Sequence, residues 1–146
     1  MKNKGKEAVE YFRNHHNCAQ SVLLPFAGDL KIDHETAKRI ASGFGAGMGK
    51  MQKTCGAVTG SFMVLGLHNG NQYEDNSLVK KRTAEMIRDF SREFEKTHGS
   101  IECRALLNVD ISTEEGNQFA HAEGLFEKIC EKCISDAVKI LQNLIY

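Results

Sequence analysis

The sequence predicts an all-α fold: one compact helical bundle of about seven helices arranged around a central apolar helix. Three observations carry this. Apolar residues recur at spacings of three and four along most of the chain. Capping residues stand at the start of most of these runs. No segment alternates apolar and polar residues over the length of a strand. The 146 residues suit a single domain. One proline, Pro25, no low-complexity tract and no internal repeat leave no linker to divide them.

Lys6–Arg13 forms the first helix. Asn17 caps a second, from Cys18 to about Ala27, which Pro25 kinks or ends. Asp33 caps a third, from His34 to about Ser42. Gly43, Gly45, Gly47 and Gly49 then alternate. They read as a loop or a broken helix end, because glycine costs about 1 kcal/mol per helix position relative to alanine. Thr54 caps a fourth helix, Cys55 to about Leu67, which Gly70 follows. This helix is apolar nearly all round, so it belongs at the centre of the bundle. The fifth covers roughly Asn76–Thr97, with Val79, Met86, Ile87, Phe90 and Phe94 in one stripe and Gly99 at its end. Ser100 caps a short helix through about Leu107, and Ser112–Ala122 forms another. The last helix, about Phe126–Leu144, carries Phe126, Cys130, Cys133, Ala137, Leu141 and Leu144 on one face.

Nineteen Lys and Arg balance nineteen Asp and Glu. A nucleic-acid binder needs a basic face that displaces counterions, and this neutrality argues against one. It gives no reason for docking on an acidic membrane either. The basic opening residues are not followed by the apolar core of a signal peptide. The longest uncharged apolar stretch, Thr54–Leu67, falls short of the ~20 residues that span a bilayer. A cytoplasmic protein is therefore expected. There, five cysteines do not form permanent structural disulfides, and an odd count leaves one thiol unpaired in a monomer. Catalysis, redox sensing or metal binding becomes the natural use of the thiols.

Their positions point the same way. Cys18, Cys55 and Cys103 each fall in the first turn of a predicted helix, after Asn17, Thr54 and Ser100. Unpaired N–H groups and the positive dipole end favour thiolate there. Cys55 is the expected reactive thiolate, with Lys50 and Lys53 close in sequence and an open glycine-rich loop beside it. Gly56 and Gly60 lie one turn apart on the central helix. They admit either a neighbouring helix, the favoured reading, or a bound ligand. Cys130-Glu131-Lys132-Cys133 is a lone CxxC whose sulfurs share an apolar stripe, a pattern that core packing also explains. His15 and His16 precede Cys18 and read better as a solvated helix end than as a base or a ligand. Gly49-Lys50 is not a phosphate-binding loop, since Met51 follows where Ser or Thr belongs.

Five blocks together carry a resemblance. They are Asn17-Cys18-Ala19-Gln20-Ser21-Val22, Gly43-Phe44-Gly45-Ala46-Gly47-Met48-Gly49, Thr54-Cys55-Gly56-Ala57-Val58-Thr59-Gly60, Cys103-Arg104-Ala105-Leu106-Leu107, and Cys133. In this order they resemble the C_GCAxxG_C_C family, described as redox-active and named for four cysteines and a Cys-Gly-Ala-x-x-Gly motif. The resemblance implies that Cys18, Cys55, Cys103 and Cys133 are the family cysteines. Cys130 is then an extra, and His15-His16 departs from the family's usual residues there. A thiol redox protein is the leading expectation, with Cys55 as nucleophile and one of the other three resolving it as a disulfide. The second is a zinc or iron–sulfur site on Cys18, Cys55, Cys103 and Cys133, since four thiolates suit a tetrahedral metal. The third is a binding or scaffold module whose cysteines only pack. A redox protein or a small molecule is the expected partner, with a homodimer left open.

Overall fold

The computed structural model describes residues 3–146. Among them it has eight α-helices and no β-strand. These are α1 (Lys4–Arg13), α2 (Cys18–Leu23), α3 (His34–Ile40), α4 (Gly56–Gln72), α5 (Asn76–His98), α6 (Cys103–Leu107), α7 (Glu114–Ala122) and α8 (Glu131–Ile145). A 3-10 turn over Leu24–Phe26 extends α2, and a π-turn over Phe126–Cys130 leads into α8. The all-α expectation holds, and the count is eight helices rather than about seven.

The caps explain most helix starts. Asn17 forms a complete capping box: its side chain accepts from the Gln20 N–H, and the Gln20 side chain accepts from the Asn17 N–H. Pro25 lies in the 3-10 turn that follows the end of α2 at Leu23, so the α-helix ends at the proline as expected. Asp33, Asp75 and Thr113 cap α3, α5 and α7. Gly99 closes α5 at φ 84°.

Two expected caps are corrected. Cys55 itself occupies the N-cap of α4, and Thr54 instead reaches the Glu102 carboxylate at 3.3 Å. Ser100 stands ahead of α6 and accepts from the Glu102 N–H, so Glu102 is the N-cap residue. Helix α4 also runs to Gln72, past Gly70, because the buried Asn69 binds Thr83 and Met86 of α5 and holds the last turn in place.

Helix α4 occupies the centre, as its all-round apolar character requires, and packs on α2, α5 and α8. Its contact with α2 is close enough to need glycine at two positions. A Cβ on Gly60 would lie 2.7 Å from the Ala19 carbonyl oxygen, and one on Gly56 would lie 2.9 Å from the Cys18 Cβ. The glycine pair thus admits the backbone of a neighbouring helix, which was the favoured reading. Phe62, Phe90 and Phe94 bind α4 and α5 by edge and stacked contacts at centroid distances of 6.0–6.1 Å. Helix α8 lays Ile134, Ala137, Val138 and Leu141 into the same core.

Candidate thiol site

Three helix starts and one widened turn gather the sulfurs. Asn17 fixes the start of α2, which makes Cys18 its first helical residue. The starts of α4 and α6 are tied together by an isolated antiparallel bridge between Thr54 and Glu102. In it the Cys55 N–H donates to the Ile101 carbonyl and the Cys103 N–H to the Lys53 carbonyl, both at 2.7 Å. This bridge sets Cys55 beside Cys103. The π-turn and α8 supply Cys130 and Cys133 from the other side. All five cysteines line one cavity of about 110 Å³, with apolar walls that include Phe12, Leu106, Ile111 and Phe126. Cys18, Cys55, Cys103 and Cys133 are buried, Cys130 is half-buried, and none is in a disulfide.

The sulfurs fall into pairs. Cys133 lies beside Cys55, and Cys130 beside Cys18, within this cavity. Cys55 is pushed below the ordinary thiol range, first by the neighbouring Cys133 thiol and then by the N–H groups of Ala57 and Val58, against the cost of burial. Those N–H groups favour charge on the sulfur without closing a cap hydrogen bond to it. The expected cause is corrected here: Cys55 is only 7% exposed, and Lys50 and Lys53 are exposed residues that play no part in its shift. A neighbouring S–H replaces water and lysine as the source of stabilisation. The partner moves oppositely: Cys133 is raised, because it lies beside Cys55 and is desolvated. Cys18 is raised by the neighbouring Cys130 thiol and by burial. Burial, and then the charge of Cys55, push Cys103 up to about 12.

Behind Cys133 stands a histidine that sequence reasoning passed over. His98, the last residue of α5, places Nε2 2.9 Å from the Asp136 carboxylate and Nδ1 3.8 Å from the Cys133 sulfur. Its ring stacks on Phe94 at 4.4 Å, and its side chain is 9% exposed. The carboxylate can only accept, so in the neutral ring the proton sits on Nε2 and the Nδ1 lone pair faces the sulfur. Lys132 lies 3.6 Å from the same carboxylate. Asp136, one helical turn after Cys133, is the one signal a sequence carries for this arrangement. The 35-residue separation of His98 from Cys133 hides the rest.

The glycine-rich segment walls the cavity on one side. Ala46, Gly47, Met48, Gly49 and Lys50 all hold φ between 50° and 71°, a left-handed turn that costs each non-glycine residue about 1–2 kcal/mol. Bonds from the N–H groups of Gly49, Gln52 and Lys53 to the carbonyls of Gly43, Ala46 and Gly47 hold it. Only glycine fits at position 47, where a Cβ would lie 2.5 Å from the Gln52 backbone. The buried Gln52 side chain donates to the Val109 carbonyl and accepts from the Ile111 N–H, fixing the loop that carries Ile111 to the cavity.

The other candidates divide. Gly56 borders the cavity, whereas the space beside Gly60 is filled by Ala19. His15 and His16 lie outside the cavity; His15 is exposed, and the His16 ring contacts Tyr11. Among the described residues no three His, Cys, Asp or Glu side chains are grouped to hold one metal ion. No helix there is long and apolar enough to cross a membrane.

The family model described as "Putative redox-active protein (C_GCAxxG_C_C)" matches residues 16–144. The chain belongs to that family, and the match takes in all five cysteines. No curated protein and no solved structure matches the chain.

Proposed function

With membership of the C_GCAxxG_C_C family as the premise, we propose that this protein is a thiol–disulfide redox protein in which Cys55 is the nucleophile and Cys133 the resolving thiol. The observation that carries the reading is the gathering of Cys55 and Cys133 in one apolar cavity, with His98 and Asp136 behind Cys133.

The chemistry is as follows. The Cys55 thiolate attacks one sulfur of a partner disulfide, whether a small molecule or a protein. A mixed disulfide forms, and the partner's second sulfur leaves as thiolate. The Cys133 proton passes to His98 Nδ1, and the resulting imidazolium is stabilised by Asp136. Cys133 then attacks the Cys55 sulfur, the remaining partner sulfur departs, and His98 returns the proton to it. Two protein thiols are oxidised and one disulfide is reduced to two thiols. The sequence runs equally in reverse.

The test is trapping. Oxidised glutathione should convert wild type to a Cys55–Cys133 disulfide, whereas Cys133→Ser should stall as a glutathione adduct on Cys55. An adduct on another cysteine, with Cys55 untouched, would overturn the assignment. Metal analysis of protein purified without oxygen separates this from the zinc or iron–sulfur reading. Stoichiometric metal that protects Cys18, Cys55, Cys103 and Cys133 from alkylation would favour the latter.

A further inference from the structure

Each cysteine of the CxxC has a cysteine from another helix as its neighbour. All five cysteines line one cavity, where Cys133 neighbours Cys55 at the start of α4 and Cys130 neighbours Cys18 at the start of α2. Four of the five sulfurs are thereby sorted into two pairs that share one cavity, and Cys103 is left over. Cys130 closes the π-turn that precedes α8, and such widened turns occur mostly as local insertions at functional positions. It is also the one cysteine of the five that is not buried.

From this placement we infer that Cys18 and Cys130 form a second dithiol–disulfide couple, opened to external disulfides through Cys130. The inference extends the thiol-redox reading to sulfurs that reading does not use. Cys130 attacks a small disulfide, forms a mixed disulfide and releases one thiolate. Cys18 then gives its proton to that thiolate, attacks the Cys130 sulfur and expels the second. Two thiols lose two electrons and two protons, and the external disulfide becomes two thiols. Cys130 is more exposed than Cys18, so it meets an external disulfide first and Cys18 makes the second step. With both couples oxidised the protein holds four electrons fewer, and Cys103 is its remaining thiol.

The experiment is a linkage map. Reduced protein is treated with oxidised glutathione, quenched in acid, alkylated and digested without reductant. In wild type the expected bridges are Cys18–Cys130 and Cys55–Cys133, with one alkylated thiol on Cys103. The double variant Cys55→Ser/Cys133→Ser should still form the Cys18–Cys130 bridge. A Cys130–Cys133 bridge, or a Cys130 that keeps glutathione while Cys18 stays reduced, would refute the inference. If the double variant does not fold by circular dichroism, the wild-type map decides alone. A map with Cys18–Cys130 but no Cys55–Cys133 bridge sinks the Cys55 assignment and leaves this inference standing; the reverse map does the opposite.

Discussion

Cys133→Ala removes the neighbouring thiol that lowers the pKa of the buried Cys55 while leaving the burial that opposes it. A hydrogen bond to a charged group contributes about 1.5–3 kcal/mol. Its loss lowers the thiolate fraction of Cys55 at a fixed pH below the midpoint by about 10–100-fold. The expected rate loss is smaller than that factor suggests. A more basic thiolate is a better nucleophile, which recovers nearly half of it on a logarithmic scale. Alkylation of Cys55 at a fixed pH below its midpoint should therefore slow by about 3–10-fold, while the midpoint itself moves upward. The assay is the pH dependence of iodoacetamide modification, with each site resolved by mass. Cys133→Ser retains an O–H donor and should keep most of the depression, which separates the hydrogen bond from the small cavity that alanine leaves. The reasoning fails if the midpoint is unchanged in Cys133→Ala, or if serine and alanine shift it equally.

Four further outcomes are expected. His98→Gln should slow resolution of a Cys55 mixed disulfide while leaving the first attack unchanged, as read by stopped-flow release of the partner thiol. Gly60→Ala pushes a methyl to 2.7 Å from the Ala19 oxygen and should cost at least about 1–3 kcal/mol in urea unfolding. Asn17→Ala removes the α2 cap and two bonds to the Ala41 and Ser42 carbonyls, for a loss of about 2 kcal/mol by the same measurement and a faster-reacting Cys18. Finally, Cys103 keeps its proton to about 12 when folded, whereas the unfolded thiol ionises near 9.0. The unfolded state binds fewer protons in that window, so stability falls as pH rises through it, and urea melts of Cys103→Ser between pH 9 and 11 should show a shallower fall than wild type.

The chain's own order of residues determined the helices and the cast of the site. Periodicity placed α4 at the centre, because a helix apolar on all sides has no stable position at a surface. Asn17, Asp33 and Gly99 marked helix ends through local bonds that need no tertiary partner. The cysteine spacing and the Gly-Ala motif pointed to the family that residues 16–144 match. The tertiary structure alone decided which thiols meet. The Thr54–Glu102 bridge joins segments 48 residues apart and overrides the local signals at Thr54 and Ser100. Lys50 and Lys53 looked like the source of positive potential from sequence, yet the S–H of Cys133 supplies the stabilisation. Cys130, half-buried in the π-turn, and Cys18, at the start of α2, come to line the same cavity although they lie near opposite ends of the sequence. His98 and Asp136 come together by the packing of α5 on α8. Such contacts are set by how helices dock, and residues separated by dozens of positions carry no periodic or spacing signal that announces them.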